Sequence, residues 1–287
     1  MRWSYDHRVC EDGLFDHQDH PGSFRICGRG ILLLMASHNY EYRYELRPDR
    51  FVYIQRKDAR VRAKAIIRSV LKRYKPHRIF YHLERQGGHI AALRLHQNSA
   101  FFSRFDIQNF FGQVTRTRVS RSLKAVGFSS NRSFDIAVES VVVESSRKVL
   151  LYGFRQSPLL ATFSLEQSLL GSVLKQLYNE GLLVSVYMDD ILVSGPSAVA
   201  LETASQRVLE AALHSGFPLS QEKRAIAVQG IDSFNCHVES SSLTVLDERM
   251  DRFLDDHNVA TNGGKGAIEK YINAVSPSEL ARFLAMA

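Results

Sequence analysis

The chain has 287 residues and 45% hydrophobic residues, enough for one large domain or two to three small subdomains around a buried core. Charged residues make up 23% and apolar positions are scattered, which excludes a disordered or low-complexity chain. No window reaches the about 18 uninterrupted apolar residues of a membrane span, and residues 1–20 are too acidic for a signal peptide, so a soluble, cytoplasmic protein is expected. Three cysteines, Cys10, Cys27 and Cys236, are too few and too scattered for a disulfide framework, which fits a reducing compartment.

Charge is unevenly spread. The whole chain carries +7, with 37 basic and 30 acidic residues, yet residues 1–100 carry +9 and the remainder −2. Residues 43–94 hold 15 basic and only 4 acidic side chains. A basic N-terminal part beside an acidic remainder suggests a polyanion grip joined to something that needs carboxylates; a solvated Arg-rich surface is the alternative.

Taken in chain order, Asp16, His17, Asp19 and His20 with Cys10 and Cys27 match no structural zinc spacing and read as a polar surface loop. Phe51-Val52-Tyr53-Ile54 is β-prone, and residues 61–67 mix basic with apolar side chains. A hairpin is expected whose arms carry Arg56, Lys57, Arg60, Arg62 and Lys64. Ile66, Ile67, Val70, Leu71 and Tyr74 follow at helical spacing. Phe101 to Phe105 reads as a strand ending in Asp106, after which Asn109 to Gly112 turns towards a helix capped by Thr115 or Thr117. Residues 134–149 read as a further helix with Ser133 as its cap. Gly153 opens a polar loop leading to Pro158 at the start of a helix that runs through Leu177 to near Gly181. Residues 182–195 place Asp189 and Asp190 between two apolar arms. A helix over residues 197–215 closes at Gly216, residues 217–245 read as short strands, and the tail reads as helices broken at Asn262-Gly263-Gly264, ending in a short or truncated subdomain.

The chemistry lies in three carboxylates. Asp106, Asp189 and Asp190 each stand at the end of an apolar strand pattern, and adjacent strands would bring them to one edge. A lone Asp at a strand end is usually a turn or cap. An Asp-Asp pair between buried arms is costly unless neutralised, and like charges so close repel. Two Mg²⁺ ions are the natural counter-charge, since paired metals about 3.5–4 Å apart stabilise both oxygens of an in-line phosphoryl displacement.

These residues carry a family resemblance. Tyr187-Met188-Asp189-Asp190 resembles the Tyr-X-Asp-Asp signature of reverse transcriptases. Phe105-Asp106-Ile107-Gln108-Asn109-Phe110-Phe111 is similar to that family's first catalytic motif, and Gly153-Phe154-Arg155-Gln156-Ser157-Pro158 to its Gly-X-X-X-Ser-Pro loop. Leu219-Ser220-Gln221-Glu222-Lys223 resembles the later lysine motif, and residues 54–62 resemble the fingers hairpin. Gly87-Gly88-His89-Ile90 through His96 is similar to a stretch in bacterial retron-type enzymes. The likeness covers roughly residues 50–240 in the family's order and points to a small bacterial reverse transcriptase of the retron or phage-defence kind.

The resemblance implies an α+β right-hand polymerase fold, with a palm of antiparallel sheet packed on helices, fingers and a short helical thumb. Residues 1–105 would form an N-terminal segment and fingers, 106–240 the palm with a fingers-like helical insertion at about 115–150, and 241–287 a short or partial thumb. Asp106, Asp189, Asp190 and the backbone carbonyl of Ile107 would hold two Mg²⁺ ions, with Mn²⁺ a substitute, and Lys223 would protonate departing pyrophosphate. Arg56, Lys57, Arg62, Phe111, Gly153 and Ser157 would meet the nucleotide, Phe111 acting as a gate against the ribose 2′-hydroxyl. Tyr187, Met188 and Pro158 would lie along primer and template. The implied partners are an RNA template (a dedicated noncoding RNA in antiphage defence), a DNA or RNA primer and dNTPs, with a protein partner or second copy to complete the grip. Two features depart from the family pattern. Leu151-Tyr152 stand where Pro-Gln usually precede the glycine, and Phe234 is followed by Asn235-Cys236 where the primer-grip turn reads Leu-Gly. Template-independent nucleotide addition on the same palm and an inactive RNA-binding scaffold are the competing functions. A nucleotide cyclase lacks the basic fingers and the Ser-Pro loop.

Overall fold

The computed structural model describes residues 39–47, 50–83, 87–144 and 146–287. The loop at residues 10–27 read from the sequence lies outside them. The chain begins with an antiparallel hairpin, β1 (Tyr40–Arg47) and β2 (Arg50–Gln55), followed by helices α1 (Lys57–Leu71) and α2 (Gly88–His96). Strand β3 (Phe101–Asp106) leads through the single turn α3 (Phe110–Gln113) to α4 (Arg116–Ala125) and α5 (Ser130–Ser140). A small hairpin, β4 (Val142–Glu144) and β5 (Arg147–Val149), precedes α6 (Ser157–Glu166) and α7 (Leu169–Asn179). The hairpin β6 (Leu183–Tyr187) and β7 (Asp190–Gly195) leads to α8 (Ala198–Ser215) and β8 (Ala225–Val228). Strands β9 (Gly230–Ser233), β10 (Cys236–Glu239) and β11 (Ser242–Val245) form a three-stranded meander, and α9 (Asp247–Val259), α10 (Asn262–Val275) and α11 (Pro277–Met286) end the chain. The fold is α+β, with antiparallel sheets and segregated helices.

The central sheet has the order β6-β7-β3-β8, all antiparallel. Period-2 alternation assigns its two faces. Ser103 and Phe105 of β3, with Ile191 and Val193 of β7, point towards α8, where Ser205 Oγ donates to Ser103 Oγ at 2.9 Å. This side joins the main core, which also takes in Leu160 and Phe163 of α6 and Leu174 and Leu177 of α7. On the opposite face, Phe102 and Leu192 pack into a second core with Leu93 of α2, β9–β11 and the last three helices. That cover reaches Leu192, opposite Arg104, and Asp106 and Asp190 stand one register step beyond it at the end of the face.

Four local readings are corrected. Residues 56–67 form no hairpin arm: Ala59, Ala63, Ile66 and Val70 are buried at helical spacing, so Arg56, Lys57 and Arg62 belong to the start of α1, and the hairpin lies one element earlier. The helix read over 134–149 spans Ser130–Ser140 with Ser129, not Ser133, as its cap, because the β-branched run Val141-Val142-Val143 favours the β4–β5 hairpin. The single helix from Pro158 to Leu177 is two. Ser168 caps α7 by accepting from Gly171 N, and a Cβ on Gly171 would stand 2.4 Å from Leu165 O, so only glycine allows this close approach. Asn262, Gly263 and Gly264 do not break the tail but form the first turn of α10, capped by Thr261.

Candidate active site

Strand β3 pairs with β7 so that Asp106 stands directly opposite Asp190, and Tyr187 of β6 opposes Asp190 from the other side. Directly opposed residues of an antiparallel pair point to the same face, so both carboxylates stand on one face at the same end of the sheet. Met188 and Asp189 make the two-residue β6–β7 turn. Met188 adopts φ +59° with its side chain buried. A non-glycine residue there costs about 1–2 kcal/mol, which burial of the thioether side chain offsets. Ile107 N donates to Asp189 O at 2.9 Å, tying the turn to the end of β3, and Ser220 N donates to Asp106 O at 2.8 Å, tying that end to the loop that leads to Lys223.

Each carboxylate on the strands has its own cation. Lys223 Nζ donates to Asp106 Oδ2 at 2.8 Å, and Asp106 is 6% exposed. Arg104 donates from Nε and Nη2 to Asp190 Oδ1, at 3.1 and 2.8 Å, and from Nη1 to Asp232 O at 2.6 Å. Burial raises the Asp190 pKa, opposed by Arg104. Burial, then the negative charges of Asp190 and Asp106, push Asp189 up to about 7. Three carboxylates are hard oxygen donors and suit Mg²⁺ or Mn²⁺. Among the described residues no group of three or more His, Cys, Asp or Glu side chains is gathered into a ready metal cage; Lys223 and Arg104 neutralise two of the three Asp side chains instead.

The family model of reverse transcriptase (RNA-dependent DNA polymerase) matches residues 50–246, more than half of the chain. The chain belongs to the reverse transcriptase family. No curated protein matches it. Similar solved structures include a foamy viral protease–reverse transcriptase with double-stranded DNA, at 17% identity over 80% of this chain and 34% of that one, TM-score 0.46. The same foamy viral protein with an RNA/DNA hybrid matches at 18% over 79% and 26%, TM-score 0.42. Telomerase from Candida albicans matches at 9% over 81% and 44%, TM-score 0.42. The chain spans less than half the length of each.

Within this reverse transcriptase frame, the glycine loop docks on the first hairpin. Tyr53 N donates to Tyr152 O at 3.0 Å, and Gly153, at φ +99°, lies so close that a Cβ would meet Tyr53 O at 2.1 Å. Beneath it, Gln55 Nε2 donates to Gln156 Oε1 at 3.2 Å and Gln156 Nε2 to Ser140 Oγ at 3.3 Å, a buried amide chain that holds the loop. Ser157 lies wholly buried, with no partner for its Oγ among the described residues. It supports the loop from below and does not line a surface that a nucleotide reaches. Pro158 opens α6 beside it.

Phe111 is buried and meets Tyr152 edge-on at 4.6 Å, while the Arg50 guanidinium lies 4.8 Å over the Tyr152 ring. A cavity of about 820 Å³ opens beside this stack, lined by Arg43, Arg50, Phe111, Glu144, Arg147 and Tyr152 among others. Arg56 and Arg62 are engaged elsewhere: Arg56 pairs with Asp58, and Arg62 bridges Asp58 and Glu139 at 2.9 and 2.7 Å. Lys57 is exposed at the start of α1.

Sequence reasoning missed several residues. Arg104 sits two positions before Asp106, and strand alternation alone places it on the carboxylate face. Arg43 and Arg50 went unnoticed because the hairpin was read one element too late. Tyr187 is ringed by His82 at 5.4 Å, His89 at 5.8 Å and Phe234 at 5.3 Å. Tyr271 of α10 stacks on His89 at 5.9 Å and donates to Phe234 O at 3.4 Å. These rings come from four distant segments, and no local pattern announces their meeting.

Proposed function

We propose that this chain is an RNA-directed DNA polymerase whose active site is the carboxylate-bearing end of the palm sheet. The observation that carries the reading is the register that sets Asp106 opposite Asp190, with Asp189 at the adjoining turn. In this reading residues 1–105 supply an N-terminal segment and the fingers, 106–240 the palm with the helices of about 115–150 as a fingers-like insertion, and 241–287 a short or partial thumb.

Asp106, Asp189 and Asp190, with the Ile107 carbonyl, would hold two Mg²⁺ ions, or Mn²⁺ in their place. Bound there, such ions make the primer 3′-hydroxyl more acidic and stabilise charge on the transferring phosphoryl group. The 3′-hydroxyl loses its proton to solvent water, its oxygen bonds to the α-phosphorus, and the bond from that phosphorus to pyrophosphate breaks. Lys223, released from Asp106 as its charge is taken over, donates a proton to the leaving pyrophosphate. Arg104 holds Asp190 until substrate arrives. Phe111 stands under the deoxyribose and excludes a 2′-hydroxyl, backed by Tyr152. Arg43 and Arg50 line a nucleotide-sized cavity and offer guanidinium forks to phosphate; Lys57 adds charge at the start of α1, while Arg56 and Arg62 would have to leave Asp58 and Glu139. Gly153 and Ser157 shape the loop, and Tyr187, Met188 and Pro158 line the primer–template side. The similarity of residues 87–96 to retron-type enzymes supports a dedicated noncoding RNA as template and a role in bacterial antiphage defence. Primer extension on an RNA template tests the core of this reading: Asp189→Asn abolishes dNTP incorporation while primer–template binding persists, and unchanged incorporation overturns it.

A second reading, template-independent addition at the same carboxylates, is favoured by Tyr152, whose ring occupies the place beside the gate where the family carries Gln. Extension of a primer with no template present separates the two.

A further inference from the structure

We propose a second nucleic-acid-binding surface, outside the carboxylate cleft, on α1 and the cavity at its C-terminal end. Three classes of side chain divide this helix. Ala59, Ala63, Ile66 and Val70 face the core, and Asp58 and Arg62 face Glu139. Lys57, Arg60, Lys64, Arg68 and Lys72 are exposed, and at 3.6 residues per turn they fall within about 120° of arc along about 22 Å of helix. Asp58 is the only acidic residue between positions 57 and 78.

The stripe runs into a cavity of about 470 Å³ lined by Ser69, Lys72, Arg73, Phe128, Ser129 and Arg132, together with Gly127. Among the described residues no carboxylate lines it, and none of Asp106, Asp189 and Asp190 reaches it. Among the described residues, Lys72, Arg73 and Arg132 form no ion pair with a carboxylate. Arg73 lies 4.6 Å over the Phe128 ring and donates from Nη1 to Gly127 O, so its guanidinium is fixed rather than free to wander. Ser129 caps α5, whose N-terminal end adds positive potential to the same wall. Complementing the dipole at the end of α1 accounts for Arg68 in its last turn and for Lys72 at its C-cap. It does not account for the converging Arg132 or for the unbroken stripe behind it.

An elongated row of cations without a carboxylate ion pair among the described residues, ending in a hydroxyl-lined basic cavity, fits a continuous polyanion better than a single small anion. The phosphodiester backbone of an RNA or DNA strand supplies that charge pattern. The inference rests on the polymerase reading only for the identity of the polyanion, a template strand continuing beyond the cleft.

The test uses the full chain carrying Arg68→Gln, Lys72→Gln and Arg132→Gln together, all exposed positions. Two probes are compared over a salt series: a short primer–template duplex, and the same duplex with a long single-stranded template extension. The variant is expected to bind the extended probe more weakly, with the slope of log K against log salt reduced by about 2. Binding of the short duplex and dNTP incorporation on it stay at the parent level. Unchanged affinity and slope for the extended probe overturn the proposal. Equal loss on both probes overturns the placement outside the cleft. Weakened binding to anionic vesicles with RNA binding intact assigns the surface to a membrane and overturns it too. Loss of incorporation in Asp189→Asn reads the polymerase assignment separately, so the two failures are distinguishable.

Discussion

Lys223 Nζ lies 2.8 Å from Asp106 Oδ2, holding the charge of a carboxylate that the protein would otherwise bury unpaired. Removing the lysine leaves that charge without a partner. Lys223→Gln is therefore expected to lower metal-free stability by about 1–3 kcal/mol, with Mg²⁺ restoring most of the loss. Urea unfolding with and without Mg²⁺ measures it; a loss that Mg²⁺ leaves untouched contradicts the exchange of lysine for metal.

Arg104 spends two N–H groups on one oxygen of Asp190, in competition with any cation that needs it. Arg104→Gln is expected to tighten Mn²⁺ binding while lowering metal-free stability. Calorimetric titration with Mn²⁺ reads the affinity, and weaker binding would mean that the arginine instead orients Asp190 for the metal.

Phe111 and Tyr152 predict sugar selection. Phe111→Ala opens space beside the Tyr152 edge and raises the ratio of ribonucleotide to deoxynucleotide incorporation, whereas Phe111→Tyr keeps it low. Because Phe111 is buried, the alanine variant also loses about 3–5 kcal/mol of stability, so the ratio is measured at a temperature where a melting curve shows the variant folded. An unaltered ratio removes the gate role.

His96 gives a pH signature. It is wholly buried between Ser194 Oγ at 2.7 Å and Ser185 Oγ at 2.8 Å, and burial pushes its pKa down to about 3. The unfolded chain protonates this imidazole near pH 6.5 while the folded chain does not, so its stabilising contribution is full above that pH and is lost on acidification towards 3. Stability is expected to fall by about 2 kcal/mol from this residue between pH 7 and 5. His96→Gln, although less stable at neutral pH, should show a shallower decline by that amount. Parallel curves for the two proteins would contradict the buried neutral state.

The carboxylates were legible because their signal is local: apolar strand arms end in Asp106 and flank Asp189 and Asp190, and a two-residue turn between such arms admits few other arrangements. The glycine loop was legible for the same reason, since Gly153 and Pro158 mark fixed backbone shapes. Misreadings arose where two periods compete. The basic and apolar side chains of residues 57–67 satisfy a loose alternation, but only the helical period buries Ala59, Ala63 and Ile66 together. Partners escaped where they depend on long-range packing, as when Tyr271 of α10 meets His89 of α2 beside Tyr187. Arg104 is the exception. Its position two residues before Asp106 was sufficient to place it, and only its pairing with Asp190 required the fold.

The most direct test of the two-metal assignment is crystallography of the protein soaked with Mn²⁺ and a non-hydrolysable dNTP on a primer–template, read by anomalous scattering. The account predicts two manganese peaks bounded by Asp106, Asp189 and Asp190, with Lys223 displaced from Asp106. Manganese absent from these carboxylates while the nucleotide is bound, or Lys223 still seated on Asp106 in that complex, would contradict it.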